Sequence, residues 1–559
     1  MVVVALGFLA AVFLCVYPLS SFDLFWHLAN GRIMVNEGRI VAEEALSYTR
    51  PGFPFVNHAW LSQVLLFLIY DNFGTSGLMA FKVLVAGATF TLIYLSARRY
   101  GGVHSLAIFA VLSTAFATYW RFMVRPHVFS LLLLALTQYI LLCWHTGHLR
   151  RYWLLGLIPL VMLWDVLHGS LYGILAIGAF ATGEQLRLSC VDRHGLRSRD
   201  NVWLVACALA AIGVALIGPW GFLGSEFLRD LGPGNFMVSK IADFLPTPLT
   251  LGYFPFWVLL ALSVPVCGYM LKGRRFSEIL ILIVFGALAI RYRRAIAPFG
   301  IVATPIAVSA LRYFDSPLSE RVIARIALVA SVILIGVVVW FKFPINSHFY
   351  ALGSGLDPGS YPIGALRFMN ANNVSGNAFN EGIFGGYMAF HGEGRKIFLY
   401  NHHSVFSDLH EASRNPRVIK DWKIDYALFS NYEQFKNHFP FSHWAAVYWD
   451  RAAMLMLKRT PENLQLIERF EILYFSPRYS QKMIRDYAEG PVYPRLMREM
   501  ADYLTYSHDA EAAELFAELI VAPSGAPDVE TRRGLIQLAL RANGDCVELR
   551  TVRDAVSVQ

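Results

Sequence analysis

Charge is what this chain has least of: only 16% of its 559 residues are Asp, Glu, Lys or Arg, against 56% hydrophobic and 14% aromatic. Soluble domains carry about a quarter of their residues as charges, so this balance excludes an ordinary soluble protein and implies several membrane spans. Cysteine is scarce too. Of the six, Cys15, Cys143, Cys190, Cys207 and Cys267 fall in apolar runs or in a loop assigned to the cytoplasm, and Cys546 stands alone in the tail. This excludes a disulfide framework, and the lack of any C-x-x-C spacing removes the usual sign of structural zinc. No Walker A or G-x-G-x-x-G occurs in a strand-to-helix setting, which is permissive of a site without a nucleotide. Met1–Ser20 has neither a charged n-region nor a small-residue cleavage site, and reads as a retained span. The Lys and Arg excess, 48 against 40 acidic residues, sits in short loops where it sets topology, so nucleic acid is not an expected partner.

Apolar runs are what the chain has in abundance. After Met1–Ser20, runs long enough for a membrane fall at Gly77–Ala97 and at 103–119, 128–145, 152–166, 169–186, 202–218, 254–271, 277–291, 295–311 and 323–342, making about 11 crossings. Leu61–Tyr70 reads as a short helix at the interface, and Lys82 as a cation that snorkels or faces the bundle. Alternate loops carry Arg98 and Arg99, Arg150 and Arg151, Arg187 to Arg199, Lys272 to Arg275, and Arg312 to Arg325. By the positive-inside rule those loops are cytoplasmic. The N-terminus is then inside, and an odd number of crossings puts everything after Pro344 outside.

One outer loop is unlike a solvated connector. Phe22–Gln63 carries Asp23, His27, Glu43, Glu44 and His58 among Trp, Phe and Tyr, a mixture suited to a folded site at a membrane surface. Asp23 directly follows the first span with His27 four residues on, so a helix starting there places both on one face. Partial desolvation by Phe22, Phe25 and Trp26 would raise the Asp23 pKa towards that of a general base. The ordinary alternative is an N-cap, which is compatible with catalysis.

The remaining outer loops bring Arg121, the Arg125-Pro126-His127 run, Asp165 and His168 in WDVLHGS, Lys240 and Asp243 between Gly218 and Phe254, and Arg291, Arg293 and Arg294 in RYRRAIAPF. A single arginine at a helix end commonly snorkels, or pairs with an acid such as Asp165 or Asp243. Recurrence at one membrane depth points instead to an anion, with a lipid phosphate as the simplest candidate. A base beside a phosphate clamp suits inverting displacement at an anomeric carbon by an acceptor hydroxyl. Two other classes stay open: a transporter or flippase of lipid-linked glycans, using the same cations without chemistry, and a membrane assembly scaffold. Transporters place their polar groups at the midplane, whereas here they gather at one face.

Beyond Pro344 the composition becomes that of a soluble domain. Strands are expected at Lys396–Tyr400, Tyr426–Ser430 and Ala445–Lys458, and helices at Pro362–Asn370 and Gly385–His391. Residues 343–460 then form an extracytoplasmic α/β domain and 461–559 a helical region. Tyr493–Tyr506 with Asp509–Ile520 reads as a tetratricopeptide-like hairpin, a surface for a protein partner. Asn401-His402-His403 with Asp408 and His410 fits no defined metal spacing and reads as a solvated loop. No metal ligands are assigned, and a divalent ion stays open.

The first span, the acidic residue behind it and GFPFVNHAWLSQVLLFLIYDNFG resemble the first outer loop of GT-C fold glycosyltransferases, in particular the protein O-mannosyltransferase and aminoarabinose transferase branch. The matching residues are Asp23, Gly52, Pro54, Phe55, Trp60, Leu61, Phe73 and Gly74; His58-Ala59 replaces that branch's Pro-Pro pair. The D-x-x-W-H-L-x-x-G loop, with RPH, Leu-His-Gly and RYRR, is similar to a bacterial group with a periplasmic tail, which often has an acidic residue where this chain has Ser62-Gln63. The resemblance implies a GT-C-like polytopic α-helical domain over 1–342 with a catalytic loop at 21–75, in a bacterial inner membrane. It implies Asp23 as the acceptor-activating base, Glu44 as a second acid, and the outer arginines as the clamp for a polyprenyl-phosphate sugar. The candidate catalytic set is therefore Asp23, His27, Glu44 and His58. The candidate binding set is Arg125, His127, His168, Arg291, Arg293, Arg294, Asp243 and Trp60. Sugar and acceptor do not carry over. A reporter fused after Phe343 is expected to be active only outside the cytoplasm; cytoplasmic activity there reverses the topology.

Overall fold

The computed structural model describes residues 1–191, 195–217, 241–313, 320–342, 352–474 and 493–506, with isolated positions up to 537. The chain divides into two compact units. One comprises Met1–Ser21, Asn30–Ala42 and Pro54–Leu356, and the other Phe22–Ala29, Glu43–Phe53 and Asp357–Gln559.

The first unit is helical. Its helices are α1 (Val2–Leu14), the end of α2 (Leu24–Glu37), α3 (Trp60–Arg99), α4 (His104–Thr118), α5 (His127–His145), α6 (Leu157–Leu167), α7 (Leu171–Val191), α8 (Arg199–Ile217), α9 (Phe254–Lys272), α10 (Phe276–Arg291), α11 (Ile296–Tyr313) and α12 (Glu320–Lys342). Every apolar run read from the sequence falls on one of them. Five described helices are long and apolar enough to cross a membrane by themselves: Trp60–Arg99, His127–His145, Arg199–Ile217, Leu251–Lys272 and Arg321–Trp340. Others are shorter apolar helices, such as the 13-residue α1. The architecture is that of a polytopic helical membrane protein. Outward-facing Leu84, Leu209, Leu262, Ile283 and Ile326 are exposed, as a lipid-facing surface requires. The expected interface helix and second span form one element, broken at Gly74, whose φ of 60° and ψ of −153° are open to glycine alone without strain.

Apolar side chains gain little by leaving lipid for a helix interface, so close packing and polar contacts hold such a bundle together. Gly183 of α7 shows the first: a Cβ there would come within 2.3 Å of the Ser277 backbone in α10. Ser277 then reaches the Phe180 carbonyl at 2.9 Å. Thr114 in α4 meets Thr304 in α11 at 2.7 Å, and Gln138 in α5 donates to the Val302 carbonyl at 3.0 Å. Lys82 faces the bundle: it is fully buried, with Nζ 2.6 Å from the Tyr17 carbonyl and 3.7 Å from the Tyr17 ring centre.

The second unit is α/β. Its sheet has the order β1-β2-β4-β3, with β1 (Ala378–Asn380) parallel to β2 (Tyr426–Phe429), and β4 (Met454–Lys458) antiparallel to both β2 and β3 (Trp444–Trp449). The expected single strand over Ala445–Lys458 is thus a hairpin. Lys396–Tyr400 is not a strand; it makes one bridge, Ile397 to Ser47, because its neighbour is the first loop. Helices Ile363–Ala371 and Gly382–His391 match expectation, and so does Tyr493–Tyr506; its expected partner at 509–520 lies outside the described residues except Phe516 and Leu519. His403–Ala412 is a helix, since Val405, Phe406 and Leu409 give it a buried face. Within this unit Phe25 packs against Tyr361, Tyr387 and His391 at 5.1, 4.9 and 5.0 Å between ring centres.

Gly183→Ala is expected to lower stability by about 1–3 kcal/mol through overpacking, read as a reduced thermal midpoint of the purified protein. An unchanged midpoint would show that α7 and α10 separate without cost.

Candidate functional site

The helix ends of the first unit gather one charged cluster. A 3-10 turn, Tyr119–Arg121, follows α4, and Pro126, with φ preset near the helical value, starts α5. Arg121 and Arg125 therefore stand on either side of one short connection. Both reach Asp243: Arg121 Nη1 donates to Oδ1 at 2.8 Å and Arg125 Nη2 to Oδ2 at 3.2 Å. Asp243 is held there because its segment is laced to the RYRR turn. Thr247 N donates to the Ile290 carbonyl at 3.0 Å and Arg293 N to the Leu245 carbonyl at 3.1 Å. Burial alone would raise the Asp243 pKa; Arg121, Arg125 and Arg294 overcome it and hold the carboxyl well below its usual range. The Arg121 side chain is only 5% exposed, and its Nε has no hydrogen-bond partner among the described residues.

Three histidines border this cluster. Arg125 Nε, a donor only, lies 3.1 Å from His127 Nδ1, and His127 Nε2 lies 2.5 Å from the Arg121 carbonyl. His127 is therefore a neutral ring with its hydrogen on Nε2. His168 occupies the turn between α6 and α7, closed by Gly169 at φ +76° with both amides bonded to the Trp164 carbonyl. Its ring centre is 6.2 Å from that of His127 and 6.4 Å from that of His58. His58 belongs to the connection ahead of α3. Its pKa is lowered, by the surrounding protein first and by Arg294 second.

The remaining predicted residues divide. Arg294 acts on Asp243, His58 and His168, with its guanidinium 4.8 Å from the Phe244 ring centre. Arg291 and Arg293 instead donate to the carbonyls of Phe244 and Pro246, at 3.2 and 3.1 Å, so their described bonds hold the segment carrying Asp243. Asp165 takes no part in the ion pairs; its Oδ1 accepts from the Ser170 amide at 3.0 Å and so fixes the His168 turn. Trp60 opens α3. Sequence reasoning left Arg121 outside the candidate set and missed Ser130 and Trp164, although Ser130 lies one helical turn beyond His127 on the same face.

Asp23, His27 and Glu44 belong to the second unit. Asp23 is half-buried and directly precedes α2, its backbone carbonyl accepting from the His27 amide at 3.3 Å, which is the N-cap position. The His27 ring lies tilted against that of Trp26, with 3.6 Å between ring centres. Glu44 is 2% exposed with both oxygens engaged: Oε1 takes the Leu46 and Ser47 amides at 2.7 Å each, and Oε2 the Tyr400 hydroxyl at 2.5 Å. Burial raises its pKa against those bonds. These contacts make Glu44 the anchor of its turn. Burial likewise lowers His403 and His410 to about 4, and among the described residues no group of three or more His, Cys, Asp or Glu is placed to hold a metal.

No family model and no curated protein sequence matches the chain. Solved structures do. The chain is similar to the Archaeoglobus fulgidus oligosaccharyltransferase in its apo form, at 12% identity and a TM-score of 0.54, over 82% of this chain and 74% of that one. A form of that enzyme tethered to an acceptor peptide with the NVT sequon gives 11% and 0.53 over 82% and 74%. ArnT from Cupriavidus metallidurans in the apo state gives 14% and 0.51, over 81% of this chain and 97% of that one. At these identities the likeness defines the fold: a polytopic membrane protein with the GT-C fold of glycosyltransferases and a C-terminal sheet.

Removing one member of a buried ion pair costs about 3–5 kcal/mol. Asp243→Ala is expected near the lower end, because Asp243 keeps 31% exposure, and Asp243→Ala with Arg121→Leu is expected to recover part of the loss in thermal unfolding. Equal stability of all three proteins would show that the pair is dispensable.

Proposed function

We propose that the chain is a membrane glycosyltransferase of the GT-C type. It transfers a sugar from a polyprenyl-phosphate carrier to an acceptor hydroxyl, with inversion, at the outer face of a bacterial inner membrane. The observation that carries this reading is the convergence of three guanidiniums, those of Arg121, Arg125 and Arg294, on Asp243. Guanidiniums gathered at partly buried helix ends are stabilised by a bound anion, and a guanidinium matches phosphate oxygens in geometry. At the other end of the same helices the described ion pairs match one arginine to one carboxylate. There a cavity of about 960 Å³, within the range of ligand pockets, holds Arg187 against Glu184 at 2.6 Å and Arg151 against Asp200 at 3.1 Å. The fold supports the same class, since the similar solved structures are transferases.

In this reading the bond between the anomeric carbon and the phosphate oxygen breaks, and its electron pair leaves on the phosphate. The arginines stabilise that charge as it develops. The acceptor oxygen bonds to the same carbon from the opposite face, and its proton passes to a carboxylate. Asp23 is the carboxylate assigned, because Glu44 has both oxygens occupied inside its own turn.

The test measures release of polyprenyl phosphate by the purified full-length protein, offered a panel of polyprenyl-phosphate hexoses and pentoses with envelope extract as acceptor. Asp23→Asn is expected to lower turnover by about 10²–10⁴ while donor binding holds. Arg125→Ala or Arg294→Ala is expected to weaken donor binding by about tenfold or more, the loss of one charge-assisted hydrogen bond. Bound donor moved across vesicles without bond cleavage would make the protein a transporter. Wild-type turnover in Asp23→Asn would remove the assigned base.

A further inference from the structure

His168 is held in one tautomer by two buried side chains. Trp164 Nε1, a donor only, gives its hydrogen to Ser130 Oγ at 2.7 Å, and Ser130 Oγ lies 2.8 Å from His168 Nδ1. Ser130 is 1% exposed and has no other acceptor among the described residues, so its own hydrogen goes to Nδ1. The opposite direction would bury an unsatisfied hydroxyl, a loss of about 1–3 kcal/mol. Nδ1 is then an acceptor, and Nε2 carries the ring hydrogen.

Among the described groups around that hydrogen, the His58 ring keeps an acceptor nitrogen, but its centre is 6.4 Å from that of His168 and no hydrogen bond joins the two rings. His127, with Arg125 ahead of it, comes from the start of α5; Arg121 from the turn after α4; Arg294 from the start of α11; His58 from the connection before α3. The guanidiniums are donors only, and the one available nitrogen acceptor of His127 already takes Arg125 Nε. Among the described residues no group bonds His168 Nε2. An N–H among cations, in a largely buried ring, calls for an acceptor brought by a ligand.

We infer that His168 binds a non-bridging oxygen of the carrier phosphate through Nε2–H, as a neutral donor locked by Ser130 and Trp164, and that it is not a proton acceptor. This rests on the proposed function and assigns a residue to its anion site. A neutral donor adds a hydrogen bond without adding charge, so it strengthens recognition while leaving product phosphate easier to release than a fourth arginine would. Burial first, and Arg294, His58, Arg125 and Arg121 after it, keep the imidazole well below its ordinary 6.5. Phosphate affinity is thus expected to show no histidine step at that pH.

The experiment titrates farnesyl phosphate, with farnesol as the uncharged control, into the full-length protein in lipid nanodiscs. His168→Ala is expected to weaken binding by about tenfold. His168→Gln, whose amide nitrogen falls where Nε2 does, is expected to restore most of it, and His168→Asn, which places it at Nδ1, is not. In ¹⁵N-histidine spectra, the resonance lost in His168→Gln is expected to report a neutral ring protonated at Nε2, and Ser130→Ala to mix in the other tautomer. If farnesyl phosphate binds and Arg125→Ala weakens it while His168→Ala and His168→Gln match the wild type, this inference falls alone. If the wild type binds farnesyl phosphate no better than farnesol, the transferase reading falls and this inference with it.

Discussion

One carboxylate between two guanidiniums, Asp243 with Arg121 and Arg125, is the contact on which the cluster depends. Arg121 is too buried to be solvated and too close to Arg125 to be stable beside it alone; like charges in a medium of low dielectric repel unless a counter-charge lies between them. Asp243 supplies that counter-charge from a segment more than a hundred residues away in sequence. The segment is itself pinned by backbone bonds to the RYRR turn. The ion pairs thereby tie the connection between α4 and α5 to the start of α11. Among the described residues they bring more than one guanidinium to a single carboxylate.

Much of the first unit was legible because hydrophobic length is a local signal. The apolar runs fell on helices, and the break expected between an interface helix and a span appeared at Gly74. RPH and RYRR could be read because their cations lie in loops that should have few, and a charge in an unfavourable place needs a partner. Which acid would be that partner was not legible. Asp165 and Asp243 looked equivalent in sequence, and only three-dimensional placement turns one into a helix-start acceptor and the other into an ion-pair centre. Ser130 and Trp164 went unread because, inside apolar spans, a serine and a tryptophan look like packing residues.

The first loop was legible as a folded element but not as a divided one. Nothing local in Glu43–Phe53 indicates that Tyr48 donates to the Ala378 carbonyl or that Arg50 pairs with Asp408. Such pairings follow from tertiary register, and β1, three residues long, carries too little pattern to announce them. The same division separates two acids that composition treats alike. Asp23 opens a helix and stays half-exposed, whereas Glu44 is saturated inside a turn. Burial and hydrogen bonding, which no spacing rule reports, set the chemistry each can do.

The bond between Glu44 and Tyr400 joins residues 356 positions apart. A ribosome adds about 5–20 residues per second, so the glutamate emerges and waits tens of seconds for its hydroxyl while the whole helical bundle is made and inserted. Until then a residue destined for the interior must remain hydrated, and Ser47 beside it has no Ile397 with which to form its bridge. Assembly of this unit is therefore a late event, completed only when Tyr400 and the residues around it have been made.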